Sequence, residues 1–156
     1  MIRSMESGDK DPVIILIKAT DMFTPDEVIV AEEIIDTYLN QSHQKDYDIV
    51  VVENAERRVA GYLSYGPTAL TDGTYDLYWM AISPRDQGKG YGKKLVEWLE
   101  RKIKESHGRM IIIETSSQPK YHPTRQFYLG LGYKEVARIP DFYKSGDDRI
   151  IYTKYI

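Results

Sequence analysis

The chain has 156 residues, of which 42% are hydrophobic and 29% charged, and its formal net charge is −3 at pH 7. This length allows one domain with a substantial core, and the small negative charge argues against a general nucleic-acid-binding surface. The absence of cysteine excludes a disulfide framework, a thiolate metal site and a cysteine nucleophile.

The N-terminal quarter of the chain predicts a tail, a strand and a helix. Residues 1–12 are polar and predict a mobile tail, which leaves one folded domain over 13–156. The apolar, β-branched run VIILIKA at 13–19 predicts a first strand. Thr24, followed by a proline and two acids, predicts the start of a helix that runs to about Leu39. With no signal-peptide core and no run long enough to span a bilayer, we expect a cytoplasmic protein without a membrane partner.

The middle of the chain predicts three strands in succession and then a helix. Segments 47–53 and 58–66 form a hairpin, and 74–82 forms the next strand. A glycine-rich turn at 84–92 then leads into an amphipathic helix that ends near Gly108.

The C-terminal part predicts three more strands around a short helix. Residues 109–117 form a buried strand, Pro123 opens a short helix closed by Gly132, and 133–139 and 149–156 form two closing strands. The predicted order is β-α-β-β-β-α-β-α-β-β. Because two strand pairs lack an intervening helix, we expect an α/β (α+β) fold with a mixed, mostly antiparallel central sheet.

The turn PRDQGKGYGKKL at 84–95 is the most specific feature of the sequence. Gly88, Gly90 and Gly92 alternate with other residues between the predicted strand and helix. Backbone N–H groups at such a turn converge on an anion, so a phosphate-bearing ligand is expected. A Walker A loop would need a Lys-Ser/Thr pair that this turn lacks, and a dinucleotide fingerprint would need its third glycine one residue later.

The segment Gln87–Gly92 fits the pattern Q/R-x-x-G-x-G/A and resembles the acyl-CoA pyrophosphate loop of the GNAT superfamily of N-acyltransferases. The likeness covers about residues 13–156 and includes WMAISPRDQGKGYGKKLV, RQFYLGLGYKEV and DFYKSGDDRIIYTK. It implies the GNAT fold and an acetyl-CoA-dependent N-acetyltransferase. Such an enzyme moves an acetyl group to an amine by direct transfer in a ternary complex.

The resemblance also implies which residues bind the cosubstrate acetyl-CoA. The glycine-loop amides would hold the pyrophosphate, and backbone groups near the end of the preceding strand would pair with the pantetheine arm. The implied set is Met80, Ala81, Ile82, Gln87, Gly88, Lys89, Gly90, Tyr91, Gly92 and Lys93. The family's frequent Asn and Ala positions hold Tyr121 and Thr124 here, which indicates a distinct subfamily. The three histidines are widely separated, so no metal is expected.

Three residues are the candidates for catalysis. Tyr128 matches the family's tyrosine that donates a proton or hydrogen bond to the departing thiolate. Asp76 lies four residues before Met80, where the histone-acetylating branch of the family carries a Glu, so the resemblance implies Asp76, Glu114 or a water molecule as the base that takes the proton from the amine. Asp76 would otherwise be a solvent-facing strand residue or a turn partner of Thr74. Glu114 ends an apolar run, so burial would raise its pKa, or it would instead pair with Arg109 or Arg125.

Aromatic and acidic side chains near the splayed strands and the final loop suit an ammonium-bearing acceptor. They are Tyr62, Tyr65, Tyr78, Trp79, Asp141, Phe142, Tyr143, Asp147 and Asp148. Strand propensity and turn formation explain the same residues, so the acceptor class stays open. The alternative function is a non-catalytic CoA-binding sensor or docking module. The exposed C-terminal strand edge is compatible with a homodimer.

Overall fold

A seven-stranded sheet with helices on both faces forms the fold, and the computed structural model describes all 156 residues. The strands are β1 (Ile2–Ser4), β2 (Asp48–Glu53), β3 (Val59–Pro67), β4 (Thr74–Ile82), β5 (Met110–Ser116), β6 (Lys134–Lys144) and β7 (Asp147–Tyr155). The helices are α1 (Lys10–Ala19), α2 (Pro25–Asn40), α3 (Tyr91–Glu105) and α4 (His122–Gly130). The strand order is β1-β2-β3-β4-β5-β7-β6, and only β4 and β5 pair in parallel. This mixed, mostly antiparallel α+β architecture confirms the predicted fold class.

The N-terminal segment corrects the expectation of a mobile tail at 1–12. Strand β1 pairs antiparallel with β2, which places Ile2 opposite Val52 at the edge of the sheet. Arg3 fastens this edge, because its guanidinium forms ion pairs with Asp9 at 2.7 Å and Glu53 at 2.8 Å. Interactions between residues far apart in sequence therefore order a segment whose polar composition alone predicts disorder.

The predicted strand at 13–19 was wrong, because this segment lies in helix α1. Its β-branched content favours a strand, but the buried side chains are Val13, Leu16 and Ile17. That i, i+3, i+4 spacing is one face of a helix, whereas Ile15 on the opposite face is 67% exposed. Tertiary packing of the apolar stripe has overridden local propensity.

The start of α2 confirms the predicted helix signal at Thr24. The Thr24 hydroxyl accepts a hydrogen bond from the Glu27 amide at 3.2 Å, and the Glu27 carboxylate accepts one from the Thr24 amide at 3.1 Å. These reciprocal bonds satisfy two otherwise unpaired amides at the helix terminus. At the other end of the chain, β6 and β7 are longer than predicted. They form a hairpin that turns at 145–146.

The sheet separates two apolar layers. The larger layer packs α3 and α4 against one face and contains Val50, Val52, Ala60, Leu63, Tyr65, Leu77, Leu95, Val96, Leu99, Ile103, Ile111, Ile113, Tyr128, Tyr133, Ile150 and Tyr152. The smaller layer packs α1 and α2 against the other face and contains Met5, Val13, Leu16, Ile17, Val28, Ala31, Ile35, Ile49, Val51, Tyr62 and Ala81. None of the helices combines the length and apolar character that crossing a bilayer requires.

Candidate active site

The parallel strands β4 and β5 separate in the middle of the sheet. They pair from Thr74 opposite Met110 to Leu77 opposite Ile113, and no further. Strand β4 nevertheless continues to Ile82, and β5 continues to Ser116. We call the gap between residues 78–82 and 114–116 the split. Its walls are two strand segments that do not pair with each other across the gap, so a ligand can lie between them.

A bulge at Tyr78 coincides with the start of the split. Opposite β3, Leu77 pairs with Tyr65 and Trp79 pairs with Ser64, so Tyr78 has no partner. The extra residue reverses the alternation of side chains along β4. Tyr75 and Leu77 face α3 before the bulge, whereas Met80 and Ile82 do so after it. Because a bulge bends the strand that carries it, this insertion accounts for the departure of β4 from β5.

The glycine turn lies at the end of β4, directly before α3. Gly88 and Gly90 have φ angles of 76° and 85°, a left-handed conformation that glycine adopts without steric cost. Gly92 has a different role, since a Cβ there would lie 3.4 Å from the ring of Phe127 on α4. The Gln87 side chain donates to the Ile82 carbonyl at 3.1 Å and ties the turn to the strand.

The backbone amides of this turn are free. None of the N–H groups from Gln87 to Lys93 donates a hydrogen bond within the protein, and the first intrahelical bond is donated by Lys94 to Gly90 at 3.1 Å. No acidic residue occupies the first turn of α3. Together with the positive end of the helix dipole, these amides form an anion-binding surface.

The lysines of the turn add positive charge around these amides. Lys89 pairs with the buried Asp86 at 3.3 Å, Lys93 lies 3.8 Å from Glu97, and Lys94 lies over the Tyr91 ring at 5.5 Å. All of these contacts leave the lysine ammonium groups at the surface, where a phosphate can reach them.

Tyr128 is buried on the α3 side of the sheet. Its ring is 4% exposed and packs edge-on against Phe127 at 5.2 Å and Tyr133 at 5.9 Å. Burial alone raises the pKa of the Tyr128 hydroxyl above its usual range, and no protein group donates to it. The phenol therefore keeps its proton at neutral pH and can act as a hydrogen-bond donor.

The two candidate carboxylates flank the point where β4 and β5 separate. Asp76 lies one residue before the last pair on β4, and Glu114 lies one residue beyond it on β5. Both alternate with residues that face α3, so they belong to the opposite face of the sheet. Asp76 accepts a hydrogen bond from the Thr68 hydroxyl at 2.6 Å. The candidate base and Tyr128 thus come from opposite faces.

The surroundings of Glu114 differ from both expectations. Glu114 is exposed rather than buried, and its ion pair is with Arg149. Arg109 instead donates to the Asp72 carbonyl at 2.6 Å, and Arg125 donates to main-chain carbonyls after β5. The apolar run before Glu114 faces the core only at alternate positions, which is why it does not bury the carboxylate.

The loop between α1 and α2 spans the split on the face opposite α3. Phe23 of this loop packs against Trp79 on β4, with ring centroids 5.2 Å apart. The neighbouring Met22 carbonyl accepts a hydrogen bond from Tyr121, which follows β5, at 3.0 Å. The loop therefore contacts the β4 arm of the split and the segment that follows β5. We call this face of the split, which includes Trp79, Tyr121, Tyr143, Asp147 and the two candidate carboxylates, the loop side.

Several residues predicted near the acceptor have other positions. Tyr62 and Tyr65 are 1% and 5% exposed and belong to the two core layers. Asp141 accepts a hydrogen bond from the Gly146 amide at 2.7 Å, and Asp148 accepts one from the Asp141 amide at 2.9 Å. These two acids stabilise the β6–β7 turn, a role that the turn interpretation predicts for Asp148 but not for Asp141.

Two residues of the loop side were undervalued by sequence reasoning. Tyr121 was noted only as a departure from the family pattern, and Asp147 only as one acid among several. Asp147 is 5% exposed and lies beside Ser116, the last residue of β5. The polar run TSSQ at 115–118 follows the apolar residues of β5. It indicates that side chains form hydrogen bonds at this end of the strand. Nowhere do three or more His, Asp or Glu side chains cluster as metal ligands would.

Comparison with known proteins agrees with this geometry. The model of the GNAT acetyltransferase domain matches residues 45–135. A Desulfovibrio desulfuricans protein assigned to the GNAT family of acetyltransferases superposes with a TM-score of 0.93 at 38% identity, over 99% of this chain and 98% of that one. The Escherichia coli ribosomal-protein-S18-alanine N-acetyltransferase gives a TM-score of 0.78 at 18% identity, over 100% and 93% of the chains. An aminoglycoside 6′-N-acetyltransferase complexed with coenzyme A gives 0.75 at 18% identity, over 99% and 96%. No curated protein matches the sequence.

Proposed function

The chain belongs to the GNAT family of acetyltransferases, and we propose that it transfers the acetyl group of acetyl-CoA directly to an amine acceptor in a ternary complex. The observation that carries this proposal is the run of unpaired amides from Gln87 to Lys93, which opens onto the split. A simple strand-to-helix connection does not need a row of unpaired amides. A pyrophosphate can accept hydrogen bonds from all of them.

The residues present fit acetyl-CoA as the donor. The loop amides and the lysines around them would hold the pyrophosphate, and Met80, Ala81 and Ile82 offer the unpaired side of β4 to the pantetheine arm. When bound there, acetyl-CoA supplies a thioester, whose carbonyl carbon is open to attack by an amine. The chain has no cysteine to carry the acyl group, which favours direct transfer.

The catalytic roles follow from the two faces of the sheet. A carboxylate on the loop side, Asp76 or Glu114, takes a proton from the acceptor nitrogen directly or through a water molecule, because only a neutral amine attacks. The new C–N bond forms as the C–S bond breaks. Tyr128, on the α3 side, donates its hydrogen bond or proton to the departing sulfur. The proton released by the nitrogen and the charge left on the sulfur are thus handled on opposite sides.

Thermal unfolding with acetyl-CoA, CoA, NAD and ATP tests the ligand, and an amine panel with Tyr128→Phe tests the chemistry. At 100 times its dissociation constant, acetyl-CoA would stabilise the protein by about 2.7 kcal/mol. We expect Tyr128→Phe to lower kcat about 100-fold or more while this stabilisation persists. Tyr133→Phe is the matched control. The Tyr133 ring lies beside the Tyr128 ring and is also buried, but the Tyr133 hydroxyl donates a hydrogen bond to Glu100 at 3.1 Å.

Two results would contradict the proposal in different ways. Stabilisation by NAD or ATP without acetyl-CoA would refute the interpretation of the glycine turn. Stabilisation by acetyl-CoA with no transfer to any amine, and no difference between the wild type and Tyr128→Phe, would favour the non-catalytic CoA-binding module.

A further inference from the structure

A buried carboxylate without a counter-ion lies at the far end of the split. Asp147 is 5% exposed, and its two oxygens accept hydrogen bonds from the Ser116 hydroxyl at 2.5 Å and the Gln118 amide group at 2.9 Å. Both donors are neutral, and no lysine, arginine or histidine forms an ion pair with Asp147. Buried acids are ordinarily paired with a cation, because two neutral hydrogen bonds only partly replace the lost hydration.

The cationic side chains of the neighbouring segments bond to other groups. Arg125 donates to two carbonyl oxygens of the 116–118 segment at 2.8 and 2.9 Å. Arg149 pairs with Glu114, and Lys120 donates to a carbonyl of the α1–α2 loop at 3.0 Å. None of them forms an ion pair with Asp147, so the negative charge of this carboxylate is not balanced within the protein.

Two tyrosines, Tyr121 and Tyr143, lie close enough to Asp147 to be affected by its charge. Burial, followed by the charges of Glu27 and Asp147, raises the pKa of Tyr121 to about 12. Burial and the same two acids also raise the pKa of Tyr143. Both phenols are therefore neutral, and both lie within the electrostatic influence of two acids. This combination of aromatic rings and carboxylates is what organic ammonium and guanidinium groups bind.

We propose that Asp147, with Tyr121 and Tyr143 beside it, binds a second cationic group of the acceptor, distinct from the nitrogen that is acetylated. This rests on the proposed function and names its substrate class: an amine that carries at least two basic groups. The reacting nitrogen must be neutral and close to the candidate bases where β4 and β5 separate. Ser116, which bonds Asp147, lies two residues beyond Glu114 and four beyond Ile112, the partner of Asp76, or about 7 and about 13 Å along the strand. One nitrogen cannot occupy both positions.

Calorimetric titration of the whole protein, with and without saturating CoA, tests this inference without requiring turnover. The probes are linear α,ω-diamines of four to eight carbons and the monoamines of the same lengths. We expect the best diamine to bind about 10- to 100-fold more tightly than its monoamine, as a charge-assisted hydrogen bond predicts. Asp147→Asn should remove this preference and leave monoamine binding unchanged.

Two further variants keep the test decisive. Tyr143→Leu alters an exposed ring, leaves the buried carboxylate in place, and should reduce the diamine preference about 3- to 10-fold. Glu135→Gln removes an exposed acid of β6 that pairs with Arg138, and should leave the preference unchanged. Thermal stabilisation by CoA shows whether each variant is folded. If Asp147→Asn does not fold, the wild-type preference and its response to Tyr143→Leu decide the matter.

The outcomes separate this inference from the proposed function. Diamines that bind no better than monoamines at any length would overturn the role of Asp147, as would an undiminished preference in Asp147→Asn. Acetylation of diamines and monoamines at equal kcat/KM would likewise contradict only this inference. A protein that prefers diamines and acetylates none of them would contradict the transferase proposal while supporting the cation site.

Discussion

The two sides of the split are built in different ways. On the α3 side, one contiguous turn supplies the amides from Gln87 to Lys93, and their geometry depends on glycines at positive φ. On the loop side, Trp79, Tyr121, Tyr143 and Asp147 come from separate segments that are joined by tertiary contacts. Backbone amides can bind an anion whatever the neighbouring side chains are, whereas the acceptor site proposed for the loop side depends on side chains. We therefore expect substitutions on one side to leave ligand binding on the other unchanged.

The largest effect should come from the two candidate bases on the loop side. We expect one of Asp76→Asn and Glu114→Gln to lower kcat/KM about 100- to 10,000-fold, the range that general acid–base catalysis contributes. Acetyl-CoA affinity, measured by thermal shift, should be unchanged in both variants. If neither variant loses more than about threefold, no side-chain carboxylate is the base, and a water molecule takes the proton.

The next effect concerns the glycine turn. Gly90→Glu places a carboxylate beside the free amides and forces a non-glycine residue into the left-handed conformation. The dissociation constant for acetyl-CoA should therefore rise at least about tenfold. Stabilisation at a fixed ligand concentration would then fall from about 2.7 to about 1.4 kcal/mol.

Gly146→Glu is the matched control for this variant. Its φ of 80° carries the same strain, and a Cβ at either position meets nothing within 4 Å. Gly146 lies in the β6–β7 turn. The Gly146→Glu protein should therefore lose a similar amount of stability but bind acetyl-CoA normally. Equal losses of affinity in both variants would mean that strain, not the anion site, explains the effect.

Alkaline pH should distinguish the tyrosines of the two sides. Burial raises the pKa of Tyr128 in the folded protein above its unfolded value of about 10, so its contribution to stability is complete below pH 10 and is lost as the pH rises. Between pH 8 and pH 11 this loss amounts to about 1.4 kcal/mol. In urea unfolding, the free energy of unfolding should fall less between pH 8 and pH 11 for Tyr128→Phe than for Tyr143→Phe, because the Tyr143 ring is half exposed. Identical losses would contradict the burial of the Tyr128 hydroxyl.

The smallest effect is expected at the α1–α2 loop. Tyr121→Phe removes the hydrogen bond to the Met22 carbonyl, which is worth about 0.5–1.5 kcal/mol of stability. The loop should become more mobile, and KM for the acceptor should rise a few-fold while that for acetyl-CoA does not. A parallel rise in both constants would show that the two sides are not independent.

The difference between the two sides also explains which features can be predicted from the sequence and which cannot. The glycine turn and β4 were identified with correct bounds because their signals are local: positive φ, strand alternation and helix capping. Helix α1 was mistaken for a strand because the periodic burial of its apolar run depends on α2 and the sheet. The partner of Glu114 and the burial of Asp147 depend on the register between β5 and β7, which places Glu114 opposite Ile151. No local pattern encodes that register.

The split also gives the sheet a free edge inside the molecule. An exposed edge strand invites pairing with another chain, but here the α1–α2 loop lies over one face of the gap, where Phe23 packs on Trp79. A narrow ligand with amide groups can enter, and it would complete the sheet as an additional strand would. Acetyl-CoA binding should then slow the hydrogen exchange of backbone amides in the β4 segment 79–82.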